Sequence, residues 1–250
     1  MSEVGRLVIC VVFAAILWLI NPPSGLSLTG WRIFAIFSST ILGFILRPLA
    51  MAPLVLIALS VLVFADTLSD TPYIELRTAF AGFGNTTTWL VVSAILISGT
   101  IIRTNLGNRI ALLCFLFFGR NPTGLGYAVC ATELMLAPFI PSNTARGGGI
   151  LAPVIRSINA SVAEGEGDSR IEVNSNTTTR YLIATAAHAN LVTSAMFLTA
   201  MAANPLVSQL AGEVYNVAFT WSQWCLGGLA PGLFALCLLP PFIGLWYAIV

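Results

Sequence analysis

Long apolar runs, separated by short clusters of polar and turn-forming residues, divide this chain into segments. Runs at residues 4–20, 31–46 and 49–65 approach the roughly 20 apolar residues that cross a bilayer as a helix. The first stops at Asn21-Pro22-Pro23, the second at Arg47-Pro48, and the third at Asp66-Thr67-Leu68-Ser69-Asp70. The mixed segment 73–80, with Glu75 and Arg77, reads as an interfacial helix. A fourth span starts near Thr86, passes Thr100 and exits by Arg103 and Arg109. Its helical extension reaches Phe118 and ends at Arg120-Asn121-Pro122. Residues 161–180 are strongly polar and read as a solvated loop. A fifth span, 181–210, is interrupted at Ala202-Ala203-Asn204-Pro205, because a proline removes a backbone bond and clashes with the preceding turn. The sixth runs from Trp221 to Val250 through Pro231, Pro240 and Pro241, and stops inside an apolar run, as a truncated chain would.

Residues 133–156 break this rhythm. Two apolar arms, 134–140 and 150–155, flank Pro141-Ser142-Asn143-Thr144, and Gly147, Gly148 and Gly149 follow. Each arm is too short to span a membrane. The pattern fits a re-entrant hairpin over about 123–160, with an unwound tip lining a wet cavity. It fits an ordinary helix cap in a surface loop equally well. In the hairpin reading, the second arm aims its free N–H groups and positive dipole end into the cavity, which suits a carboxylate. A second Ser-Asn-Thr, at Ser175, Asn176 and Thr177, lacks apolar arms and glycines and reads as a decoy.

Composition narrows the class. Of the 250 residues, 57% are hydrophobic and 8% charged, against about 25% charged in soluble domains. The fold class is therefore an all-α polytopic membrane protein. A net charge of +1 carries no nucleic-acid signature. Every basic residue is Arg. With the N-terminus inside, Arg6, Arg47, Arg103, Arg109, Arg120, Arg156, Arg170 and Arg180 are cytoplasmic, and Arg32 and Arg77 are outside. The positive-inside rule thus predicts a multi-pass protein of the cell (inner) membrane, with a cytoplasmic N-terminus and a hairpin entering from the cytoplasm. No cleavable signal is evident. The five cysteines lie in apolar runs without CxxC spacing and read as small buried hydrophobes.

No enzyme constellation emerges. GxSxG, HExxH and P-loop motifs are absent, and a single histidine, His188, excludes a multi-histidine metal site. His188 reads as a hydrogen-bonded residue on a packed face, near Asn190, Thr193 and Ser194, rather than as a proton relay. Glu133 is the acid expected within the membrane region, where a partner is required. It reads either as a functional acid or, with the turn centred near Asn143, as a structural one that pairs with Arg156 and ties the base of the hairpin, and the second reading is preferred. Arg146 either holds a substrate carboxylate bidentately or pairs with backbone carbonyls. The hairpin tip and the break in span five are two discontinuities of the kind at which secondary transporters bind substrates and coupling ions.

Here the chain resembles the divalent anion:sodium symporter family. Pro141-Ser142-Asn143-Thr144-Ala145-Arg146-Gly147-Gly148-Gly149 is similar to that family's first Ser-Asn-Thr signature, in the form found in citrate/succinate exchangers and 2-oxoglutarate/malate translocators. Residues 30–37 with Leu42-Gly43, and residues 194–205, add support. The resemblance implies half of an inverted-repeat transporter: about six transmembrane helices, one re-entrant hairpin and one broken helix, working as a homodimer or with a complementary half. The implied divisions are scaffold helices at 1–122, hairpin at 123–160, cytoplasmic loop at 161–180, and broken helix with last span at 181–250. The implied activity is elevator-type transport of di- or tricarboxylates, by exchange or Na⁺ coupling, with no cofactor beyond that ion. Ser142, Asn143, Thr144 and Arg146 are the implied substrate contacts. Ser142, Asn143, Ala202 and Asn204 are the implied Na⁺ ligands. A second Ser-Asn-Thr hairpin, expected in a second repeat, is missing. The rival readings are a permease for another oxyanion, a membrane half that only assembles with or regulates a partner, and, more remotely, an intramembrane enzyme.

Overall fold

The computed structural model describes residues 2–65, 72–119, 121–163 and 175–247. It is all-helical, with no strand among the described residues. The chain divides into two compact units, one ending at Asn85 and one starting at Thr86.

The first unit holds α1 (Glu3–Leu19), α2 (Leu28–Leu46), α3 (Met51–Phe64) and α4 (Pro72–Ala79), then a 3₁₀ turn at Ala81–Gly84. Serines start the first two helices: Ser2 Oγ accepts from Gly5 N–H at 3.2 Å, and Ser27 Oγ from Gly30 N–H at 3.1 Å. The Ser27 cap places the start of α2 at Leu28, slightly ahead of the expected Trp31. A helix's last carbonyls lack intrahelical partners, and long side chains supply them here. Trp31 Nε1 donates to Leu17 O at 2.8 Å and Arg6 Nη1 to Leu46 O at 3.2 Å, tying α1 to α2. Segment 73–80 is helical as α4, with Arg77 exposed. The acidic break at 66–70 lies outside the described residues.

The second unit holds α5 (Thr86–Arg103), α6 (Leu106–Phe118), α7 (Pro122–Leu136), α8 (Asn143–Arg146), a π-helical turn (Gly147–Leu151), α9 (Ala152–Ala163), α10 (Ser175–Met196), α11 (Ala203–Tyr215) and α12 (Trp221–Trp246). The expected fourth span with its extension is two helices, because Asn105 turns left-handed at φ 56°. Both lie in the second unit. Asn121 caps α7, accepting from Gly124 N–H at 2.6 Å, with Pro122 in the first turn. Ser175, Asn176 and Thr177 open α10 and are not loop; the rest of the expected loop, 164–174, lies outside the described residues.

Span five breaks earlier than expected. α10 ends at Met196, the chain leaves the helix over 197–202, and α11 restarts at Ala203. Pro205 sits in the first turn of α11, where its missing N–H costs nothing. The three prolines inside α12 do not break it. Pro241 cannot donate to Cys237 O four residues back, and Tyr127 Oη fills that carbonyl at 2.8 Å. α10 packs on α7 and α12. Among the described residues, three helices are long and apolar enough to cross a membrane: Leu28–Leu46, Thr86–Arg103 and Trp221–Trp246. Most of each is left uncovered by protein, so lipid is the solvent that suits these surfaces.

Candidate functional site

The tip follows from the order of residues after α7. A loose turn at 137–139 leads into extended backbone at 140–142, and Ser142 has φ −145° and ψ 112°. Ser142 is an N-cap, its Oγ accepting from Ala145 N–H at 3.2 Å. Helix resumes at Asn143 and runs through the π turn into α9. Among the described residues, no protein acceptor meets the backbone N–H groups of Asn143 and Thr144. The glycines are not unwound as expected: Gly147, Gly148 and Gly149 form the π turn. A Cβ at Gly148 or Gly149 would meet nothing, whereas Gly147 lies beside the Asn190 amide. The two arms meet each other sparsely; α6 and α10 lie against both.

A groove of about 440 Å³ opens beside the tip. Asn143, Thr144 and Gly147 line it from the hairpin, with Ala152 and Ile155 further along that arm. Its other wall is α10, with Ile183, Ala186, Ala187, Asn190 and Leu191. Thr144 is exposed and Asn143 half-buried. One end of the groove is therefore polar and the remainder apolar.

Behind the tip lies a buried polar network that the sequence did not reveal. Glu133 and Arg146 are both 0% exposed, and Arg146 Nε donates to Glu133 Oε2 at 2.9 Å. The guanidinium also donates to Ile140 O (2.6 Å), Ala200 O (2.8 Å) and Ser194 Oγ (2.7 Å). Glu133 Oε1 accepts from Asn190 Nδ2 at 2.9 Å, and Oε2 from Thr193 Oγ1 at 3.2 Å. The expected partner of Glu133, Arg156, is exposed. The hairpin is not folded symmetrically about Asn143, so Arg146 dips back to Glu133. Of the two readings of Arg146, this geometry matches pairing within the protein: the side chain is spent on carbonyls and Glu133, and it does not line the groove.

The same network joins the tip to the broken helix. Asn143 Oδ1 accepts from Ser194 Oγ at 2.8 Å, and Asn143 Nδ2 donates to Met201 Sδ at 3.8 Å. Asn190 Nδ2 donates to Asn143 O at 3.2 Å. Asn204 Nδ2 donates to Ser194 O (2.7 Å) and Phe197 O (2.9 Å), and Trp224 Nε1 to Ala195 O (2.9 Å). Thr199 Oγ1 donates to Pro138 O at 2.7 Å. The orphan carbonyls at the end of α10 thus receive side-chain donors.

A hard cation needs a cluster of open oxygens. Of the expected Na⁺ ligands, Ser142 Oγ and Asn143 Oδ1 already accept N–H or O–H protons. Asn204 turns its NH₂ to carbonyls, and Ala202 is exposed at the start of α11.

The missed residues, Asn190, Thr193 and Ser194, stood near His188 in the sequence. Their spacing puts them on one face of α10, toward the hairpin. His188 itself is exposed rather than packed, its Nδ1 2.8 Å from Ala184 O.

A family model described as the sodium:sulfate symporter transmembrane region matches residues 1–248. The chain is 43% identical over 234 residues to the putative malate transporter YflS of Bacillus subtilis, covering 94% of this chain and 47% of that protein. It is 35% identical over 239 residues to the chloroplastic dicarboxylate transporter 1 of Spinacia oleracea, covering 96% and 40%. It is 34% identical over 251 residues to an L-tartrate/succinate antiporter of Escherichia coli, covering 96% and 51%. The chain spans about half the length of the curated relatives it matches.

Proposed function

The chain belongs to the family of the sodium:sulfate symporter transmembrane region, and from that premise we propose that it supplies one half of a dicarboxylate-exchange pathway through the cell membrane. The observation that carries this reading is the tip itself. Ser142 caps a helix whose first N–H groups, with Asn143 and Thr144, lie at the polar end of a groove. Backbone N–H groups at a helix start take a carboxylate without any full positive charge. Arg146 is neutralised by Glu133, so the ligand is held by neutral donors and can be released. The named relatives, a putative malate transporter, a dicarboxylate transporter and a tartrate/succinate antiporter, support a C4-type dicarboxylate. The N-terminus is cytoplasmic in this reading, and the hairpin enters from that side.

Exchange is favoured over Na⁺ coupling, because the named relatives include an L-tartrate/succinate antiporter. A second reading rests on the exposure of the groove, with Thr144, Ile183 and Leu191 uncovered. In that reading a complementary half, or a second copy, closes the site before transport occurs.

The test is counterflow of labelled malate and 2-oxoglutarate into proteoliposomes preloaded with unlabelled dicarboxylate. Saturable uptake, independent of external Na⁺ and lost in Asn143→Ala with insertion intact, is the expected outcome. Normal uptake by Asn143→Ala removes the hairpin from the pathway. Uptake that requires a co-reconstituted complementary half supports the second reading.

A further inference from the structure

Asn143 can show a ligand either end of its amide. The N–H end suits an anion; the oxygen end repels one and suits a cation. The residues around it decide which. Arg146 cannot lose its proton and only donates, so Ser194 Oγ accepts from Nη2 at 2.7 Å and must send its own proton elsewhere. Two acceptors lie in range, Asn190 O at 2.5 Å and Asn143 Oδ1 at 2.8 Å, and the one proton is shared between them. On the other side of the amide, the Met201 thioether has no proton to give, so Nδ2 faces it at 3.8 Å. With Nδ2 on the thioether, Oδ1 is left facing the Ser194 hydroxyl. Arg146 in turn is held by Glu133 Oε2, Ile140 O and Ala200 O, and Ser194 is only 3% exposed.

Resting on the carboxylate reading above, we infer that Ser194 is a positioning residue for specificity: oriented by the buried Arg146–Glu133 pair, it turns the Asn143 amide so that the groove meets N–H rather than oxygen. Nδ2 has two protons; Met201 engages one, and the second is the donor left for a substrate carboxylate. Ser194 acts through Asn143 and does not line the groove. The relay makes the tip selective for anions although the pair behind it is neutral overall.

The test combines stability and transport on the full chain. Ser194→Ala and Asn143→Ala are compared singly and together by thermal unfolding in detergent, with and without malate. Ser194→Ala and Ser194→Thr are compared with wild type by malate counterflow. The cycle is expected to be non-additive: Ser194→Ala lowers the midpoint of wild type but shifts the Asn143→Ala chain much less. Ser194→Ala is expected to raise half-saturating malate about tenfold, with maximal rate little changed, as a lost buried donor would. Ser194→Thr keeps the hydroxyl and restores affinity. Additive midpoints overturn the orientation, as does Ser194→Thr losing affinity as fully as Ser194→Ala. If Ser194→Thr does not insert, the cycle decides alone. Coupled midpoints with unchanged half-saturation in Ser194→Ala overturn its role in specificity. Coupled midpoints in a wild-type chain that neither takes up malate nor is stabilised by it support the orientation and overturn the carboxylate reading instead.

Discussion

Arg146 carries a permanent charge into a fully buried site, and that fact constrains its neighbours. An unpaired buried guanidinium is prohibitively costly, so each polar atom near it is placed to accept. Glu133 supplies the opposite charge, and Asn190 and Thr193 satisfy Glu133 in turn. Breaking a buried pair costs more than the pair contributes, because one charge is left stranded. Glu133→Gln should therefore destabilise the chain by about 3–5 kcal/mol, read as a fall in unfolding midpoint in detergent. Arg156→Gln, at the exposed position first expected to pair with Glu133, should leave the midpoint where it is. A Glu133→Gln chain as stable as wild type would show that the pair is not what holds the tip.

At the scale of elements, close packing rather than proline sets the shape. α12 continues through Pro231, Pro240 and Pro241, and α11 accommodates Pro205 in its first turn. Pro205→Ala should change stability by less than about 1 kcal/mol, since a first-turn proline forfeits no helical bond. The crossing of α12 and α10 is less forgiving. A Cβ on Gly228 would lie 2.9 Å from Met196 Cα and O, both backbone atoms that cannot swing aside. Gly228→Ala should cost about 1–3 kcal/mol by overpacking. Gly227→Ala, where a Cβ meets nothing within 4 Å, should be neutral or stabilise by roughly 0.5–1 kcal/mol through helix propensity. Thermal unfolding of the two neighbours separates packing from propensity. Equal shifts would refute close approach at Gly228.

For the whole molecule, the unequal distribution of arginine argues for orientation. Positively charged segments stay on the cytoplasmic side during insertion. In a cysteine-free background, Gly25→Cys should react with a membrane-impermeant maleimide added outside intact cells. Thr104→Cys, beside Arg103, should react only after permeabilisation. The reverse pattern would invert the topology and put the hairpin on the outer side. The exposed apolar faces of α2, α5 and α12 belong to the same picture, since they are stable only where lipid replaces water.

Most of the fold was legible in the sequence because membrane helices are local. Each must satisfy its own backbone bonds, so apolar runs and their polar stops mark the spans directly. The tip was legible for the same reason: Pro141, Ser142 and Asn143 are adjacent in the chain, and a cap needs only neighbours. The break in span five was foreseen, but its position was not. Pro205 drew the boundary in the sequence, while in the structure the side chains of Asn204, Trp224 and Arg146 hold the end of α10 open at 197–202. The partner of Glu133 was likewise out of reach. Residues 133 and 146 meet only because the hairpin folds unevenly against α10, and Asn190, Thr193 and Ser194 reach them from some 50 to 60 positions along the chain. The sequence determined that this is an apolar, membrane-type helical chain with a capped turn at Ser142, because those properties depend on composition and near neighbours. Only the tertiary structure decided which buried charges pair, because a hydrogen bond between distant segments depends on packing that no local pattern encodes.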